Sequence, residues 1–108
     1  MCAKIKIIDN DISKVIASVS LSLNIPIVKI KGNYRGKDES AARHIAMGLV
    51  FTRNYIGLAT VGKIFNRNHA TVIYGIRKFN SIVENPKCDP VTSEKIRKVL
   101  EVLNWVTI

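Results

Sequence analysis

The segment Leu58-Ala59-Thr60-Val61-Gly62-Lys63-Ile64-Phe65-Asn66-Arg67-Asn68-His69-Ala70-Thr71-Val72-Ile73-Tyr74-Gly75-Ile76-Arg77-Lys78 decides how the chain folds. Leu58, Val61, Ile64 and Phe65 recur at helical spacing and mark a short helix, and Asn66-Arg67-Asn68 makes a polar turn. Asn68 is placed to cap a longer helix from His69 to Val83. On that helix Val72, Ile76, Phe79 and Val83 form one stripe expected to be buried. At 100° per residue, Ala70, Tyr74, Arg77 and Ser81 point the other way, with Thr71 and Lys78 on one shoulder. A short bracing helix, a tight turn and a second helix with small, hydroxylic and cationic residues outward is the pattern of a helix-turn-helix. Short side chains at the start of the second helix let its backbone enter the major groove. Methyl groups there can meet thymine, and polar atoms can bond base edges.

Outward from this segment the periodicity stays helical. Ile12, Val15, Ile16, Val19 and Leu23 lie on one face of a helix that Asp9, Asn10 or Asp11 would cap, and Pro26 suits the first turn of a short segment, Ile25 to Ile30. Lys31 to Lys37 is a glycine-flanked cationic loop containing Tyr34 and Arg35. Ser40 to Tyr55 reads as a long helix with Ala42, Ile45, Ala46, Leu49 and Val50 as its stripe, leaving Arg43, His44 and Arg53 off it. Past the Asn85–Pro90 loop, Thr92 or Ser93 would cap a last helix from Glu94 to Leu103, with Trp105 as core or packing lid. Met1 to Ile8 alternates in a way that suits either a short strand or a lead-in to the first helix. The expectation is a single all-α domain over residues 1–108, a compact bundle of about six helices containing a helix-turn-helix.

Charge narrows the function. The chain carries 17 Lys+Arg against 8 Asp+Glu, a net +9. Ten of the basic residues fall between Lys29 and Lys78, opposed there only by Asp38 and Glu39, so this stretch holds +8 of the total. Clustering of that kind is the footprint of a nucleic-acid binder. An acidic protein partner is the rival expectation, the helices then forming an interaction module whose basic face docks it. RNA is a weaker third, because no sheet with exposed aromatics is expected. Cys2 and Cys88 are far apart and have no partners at metal-ligand spacing, so reduced thiols and no metal or other cofactor are expected. No run approaches the length of a membrane span, and the first residues do not read as a signal peptide, which points to a cytoplasmic, nucleoid-associated protein. His44 and His69 lack a recognisable Cys, Ser or carboxylate partner, and no G-x-x-x-x-G-K-[ST] phosphate loop occurs. The chain is therefore read as a binder without enzymatic activity or a small-molecule substrate.

Three motifs in register make the pattern recognisable. Ala42-Arg43-His44-Ile45-Ala46-Met47, then Val61-Gly62-Lys63-Ile64-Phe65, then Arg67-Asn68-His69-Ala70-Thr71-Val72 resemble the C-terminal DNA-binding domain (domain IV) of the bacterial replication initiator DnaA. The family shows an Ala-Arg-Gln-Ile-Ala-Met run, an Ile-Gly and a Phe before the turn, and Arg-Asp-His-Thr-Thr-Val after it. The resemblance extends from about Ile12 to Val83, with residues 91–103 as an extra C-terminal helix. It implies double-stranded DNA as partner, DnaA-box-like recognition and a role in replication initiation or its regulation, alongside other replication or regulatory proteins. It implies Arg35 in the minor groove, Arg43 on the long helix helping to read or clamp the DNA, and His69 and Thr71 reading bases. Lys37, His44, Arg67, Asn68, Ala70, Tyr74, Arg77 and Lys78 complete the expected DNA-binding set, with Arg67, Arg77 and Lys78 suited to phosphate. His44, Asn68 and Ala70 depart from the family's glutamine, aspartate and first threonine, and the turn after Phe65 is one residue shorter than in many members. If the chain is full length, the lack of an ATPase module makes it a stand-alone reader.

Overall fold

The computed structural model describes residues 8–32, 35–54 and 56–107, with side chains described for 12–32, 35–52 and 56–103. Among the described residues six α-helices follow one another: α1 (Ile8–Leu23), α2 (Ile27–Lys31), α3 (Lys37–Asn54), α4 (Leu58–Phe65), α5 (His69–Glu84) and α6 (Pro90–Thr107), with a 3₁₀ turn at Pro86–Cys88. The all-α class and the helix count agree with the sequence reading. The expectations for Tyr34 and Arg53, for the packing of Trp105 and for a strand before Ile8 lie outside the described residues.

Helix α3 is the axis of the molecule and packs against α1, α2, α4 and α5. Ala42, Ile45, Ala46, Met47, Leu49 and Val50 on it are all buried, a far wider apolar surface than one stripe. A helix apolar nearly all round belongs in the interior, with neighbours on every side. The contact with α5 is the closest. A Cβ placed on Gly48 would come within 2.3 Å of the Phe79 ring, and one on Gly75 within 2.5 Å of the Met47 methyl. The two glycines sit on opposite helices and remove the bulk that would otherwise hold α3 and α5 apart. Helix α1 lies across α3 through Val15, Ile16 and Val19, and α6 closes the other side of α1 with Ile96, Val99 and Leu103.

Two asparagines end helices in the left-handed region that most side chains avoid, Asn24 at φ 56° and Asn66 at φ 55°. After Asn24 the Ile25 amide donates to the Ser20 carbonyl at 3.1 Å, and after Asn66 the Arg67 amide donates to the Gly62 carbonyl at 2.8 Å. This is the Schellman closure, with asparagine in the place glycine usually takes.

Three expectations are corrected. Helix α1 begins at Ile8, so Asp9, Asn10 and Asp11 lie inside it and cannot be its cap. Helix α6 begins at Pro90, not Glu94: the Asp89 carboxylate accepts from the Thr92 amide at 3.1 Å and from its hydroxyl at 2.8 Å, so Asp89 is the cap in place of Thr92 or Ser93. Asp-Pro is itself a start signal, since proline suits the first helical position. Finally, Val83 is 50% exposed while Ile82 is buried. Near its end α5 is covered by the 3₁₀ turn and α6, which approach from the side of Ile82 rather than the stripe begun at Val72.

Candidate nucleic-acid interface

The corner between α4 and α5 is built by the backbone. Asn66 closes α4, Arg67 alone intervenes, and Asn68 caps α5 by accepting from the Thr71 amide at 2.9 Å. Gly62 makes the corner possible, because a Cβ there would stand 2.6 Å from the Arg67 carbonyl oxygen. Beneath it Phe65 and Val61 are fully buried, with Val72 from α5. The three residues that follow the cap, His69, Ala70 and Thr71, are thereby turned outward; the first two are exposed and Thr71 is half-buried. Further along the same face Tyr74 is 58% exposed, and Arg77 and Lys78 are exposed. No acidic residue occupies the first turn of α5. The positive end of the helix is therefore not offset by a carboxylate.

In front of this corner lies an open groove of about 460 Å³ lined by Ala59, Gly62, Lys63, Asn66, Arg67, Asn68 and His69. Lys63 and Ala59 were not singled out from the sequence, although Lys63 lies one turn before the polar turn on α4. A second cleft, about 260 Å³, flanks α5 on the other side, where Lys37, Ser40, His44, Tyr74, Lys78 and Asp89 meet. His44 is half-buried there, its ring edge-on to Tyr74 at 5.5 Å.

Arg43 is where the structure departs most from expectation. Instead of standing off the stripe it is buried, 6% exposed. Its Nε donates to the Ile30 carbonyl at 2.8 Å, and one Nη donates to the carbonyls of Lys29 and Gly32, each at 3.1 Å. It thus ties the end of α2 and the start of the basic loop to α3. Burial, with Arg67 nearby, depresses its pKa, and Glu39 opposes the shift. Arg67 is half-buried and donates through one nitrogen to the carbonyls of Phe65 (3.3 Å) and Asn66 (3.2 Å), and through the other to Gly32. Arg35 and Lys37 are exposed, Arg35 three residues beyond Gly32.

The family described as bacterial dnaA protein helix-turn-helix matches residues 12–79, more than half of the chain. The chain belongs to this family. The matched residues include α4, the Asn66–Asn68 corner and most of α5, the elements whose geometry has just been set out. The chain is similar to chromosomal replication initiator protein DnaA 2 of Chlamydia pneumoniae, 31% identical over 74 residues, which cover 68% of this chain and 16% of that protein. The chain thus spans only a small part of the length of that relative. Membership of this family makes the chain a DNA-binding helix-turn-helix domain. Among the described residues no group of three or more His, Cys, Asp or Glu is arranged to hold a metal, and no helix is long and apolar enough to cross a membrane.

His44 carries a measurable consequence. Burial, then Arg43 and Lys78, lower its pKa from the usual 6.5. On acidification the unfolded chain takes up this proton first, so between 6.5 and the lower folded value stability rises with pH. The thermal midpoint is expected to fall between pH 7.5 and pH 5, and His44→Gln to flatten that part of the profile. An identical slope in wild type and variant would contradict the assignment.

Proposed function

We propose that the chain reads a DnaA-box-like duplex by engaging both grooves at once, with α5 in the major groove and the Arg35 loop in the adjacent minor groove. The observation that carries this reading is the outward first turn of α5 after the Asn68 cap, flanked by cations and free of acids. His69 and Thr71 would bond base edges, and Ala70 would offer its methyl group to thymine. Lys37, Tyr74, Arg77 and Lys78, on both sides of the helix, would hold the phosphates, and His44 would complete the wall beside Tyr74. An arginine in a narrow A·T-rich minor groove gains from its enhanced negative potential. Asn68 acts mainly as cap, since its side-chain oxygen is engaged by the Thr71 amide. Arg43, held by three carbonyls, acts on DNA through the loop it fastens.

The core shared by α1, α3 and α6 supports treating residues 1–108 as one domain, with α6 added beyond the matched region. Replication initiation or its control, in the cytoplasm and on the nucleoid, is the process this reading assigns, and the exposed thiol of Cys88 is compatible with a reducing compartment. The test is a binding series on duplexes bearing a DnaA-box sequence and scrambled controls over a range of salt. Affinity should fall with salt with a log–log slope of several, reflecting released counterions. Thr71→Ala should narrow the gap between specific and scrambled duplexes by about tenfold, whereas Lys78→Ala should weaken both alike and reduce the slope by about one. Equal affinity of the wild type for both duplexes would overturn the reading.

A further inference from the structure

The two DNA-facing elements are connected by an unusual contact. The Gly32 carbonyl, at the mouth of the basic loop, accepts from two arginines: Arg43 of the central helix and Arg67 of the α4–α5 corner. Arg67 also grips the Phe65 and Asn66 carbonyls at the end of α4. One planar guanidinium therefore joins the loop to the corner across 35 positions of chain. Two cations converging on one carbonyl repel each other, and Arg67 adds to burial, the larger cause, in lowering the pKa of Arg43. An arrangement that carries this cost and engages the arginine donors with protein oxygens is not that of a side chain left for phosphate. Arg35 is three residues from Gly32, so the chain can carry it no more than about 11 Å from the fastened point.

We propose that Arg67 is a strut that fixes the spacing between the minor-groove arginine and the recognition helix, and so is a positioning residue for two-groove reading rather than a phosphate contact. This rests on the two-groove reading proposed above. The guanidinium plane is what the role requires: it reaches Gly32 and the end of α4 together, which a lysine ammonium cannot do from one stem. Without the strut, Arg35 must be brought to the groove at each encounter, and its contribution to affinity shrinks.

The experiment is a double-mutant cycle on the full chain, with Arg35→Ala measured in wild-type, Arg67→Lys and Arg67→Ala backgrounds. Binding is read on a DnaA-box duplex and on one with its A·T flank replaced by G·C. In wild type Arg35→Ala should cost at least about tenfold, the range of a hydrogen bond to a charged group, and should erase preference for the A·T flank. In both Arg67 backgrounds the same substitution should cost less than about threefold, with flank preference already lost. Circular dichroism and melting of each variant confirm that the helices are retained; loss of helix alone would depress binding to both duplexes without removing the dependence on Arg35. If Arg35→Ala costs the same in all backgrounds, or if Arg67→Lys binds and discriminates like wild type, Arg67 is a phosphate contact and the strut is wrong while two-groove reading stands. If Arg35→Ala has no effect in wild type, or wild type does not prefer the DnaA-box duplex, the two-groove reading fails and takes the strut with it.

Discussion

Phe65→Ala should destabilise the protein by about 3–5 kcal/mol, the range for emptying a buried phenylalanine site. Phe65 is the last residue of α4 and, among the described residues, the largest fully buried side chain. The loss would be a large share of the roughly 5–15 kcal/mol that holds a typical domain folded, and should lower the melting midpoint by more than about 10 °C. The void would open directly under the turn that aims α5. Among molecules still folded, discrimination between specific and scrambled duplexes should therefore fall as well. Thermal unfolding followed by helical circular dichroism, with duplex binding well below the new midpoint, measures both. A loss under about 1 kcal/mol would mean that the corner collapses around the missing ring, contrary to a rigid support.

Arg43→Ala is the second large effect, with an expected loss of about 3 kcal/mol or more. The substitution takes the donors from three backbone carbonyls, and a buried acceptor left unmade costs about 1–3 kcal/mol. Removing a buried cation next to Arg67 works in the other direction, but Arg43 is fully engaged, and breaking such an arrangement usually outweighs the desolvation recovered. Arg43→Lys keeps the charge and should recover less than half, because an ammonium cannot serve Ile30, Lys29 and Gly32 in the same fork. Denaturant unfolding gives the stability, and amide exchange over residues 29–32 reports whether the end of α2 loosens. If the lysine variant were as stable as wild type, charge rather than geometry would be what the site needs.

These two residues also mark what could and could not be read from the sequence. Phe65, the Asn68 cap and the outward run His69–Ala70–Thr71 are set by local spacing, and local spacing is visible in a linear chain. Arg43 was misplaced because one stripe was assigned to a helix with apolar residues on almost every face; the unbroken run Ala46-Met47-Gly48-Leu49-Val50-Phe51 was the available signal of a central helix, and a polar residue on such a helix is buried too. Val83, expected on the buried stripe, is exposed for a different reason. What covers the end of α5 is α6, a partner distant in sequence, and periodicity along α5 carries no information about the direction of its approach. The Asp89-Pro90 start of α6 is legible in its chemistry, a carboxylate cap followed by proline, and it outcompetes the hydroxyl residues just after it. The contact between Arg67 and Gly32 had no linear signal, since neither the spacing nor the residue types mark a pair so far apart.

The closure at Asn66, with Gly62 beneath it, makes the angle at which α5 leaves the corner a property of main-chain atoms. None of the outward side chains on the first turn of α5 takes part in that closure. They can therefore be exchanged one by one while the scaffold keeps its shape, so a lineage could move from one DNA target to another by small substitutions, each leaving a protein that still folds. The departure at Ala70 from the commoner family residue fits such a history: it stands exposed on that first turn and does not disturb the frame.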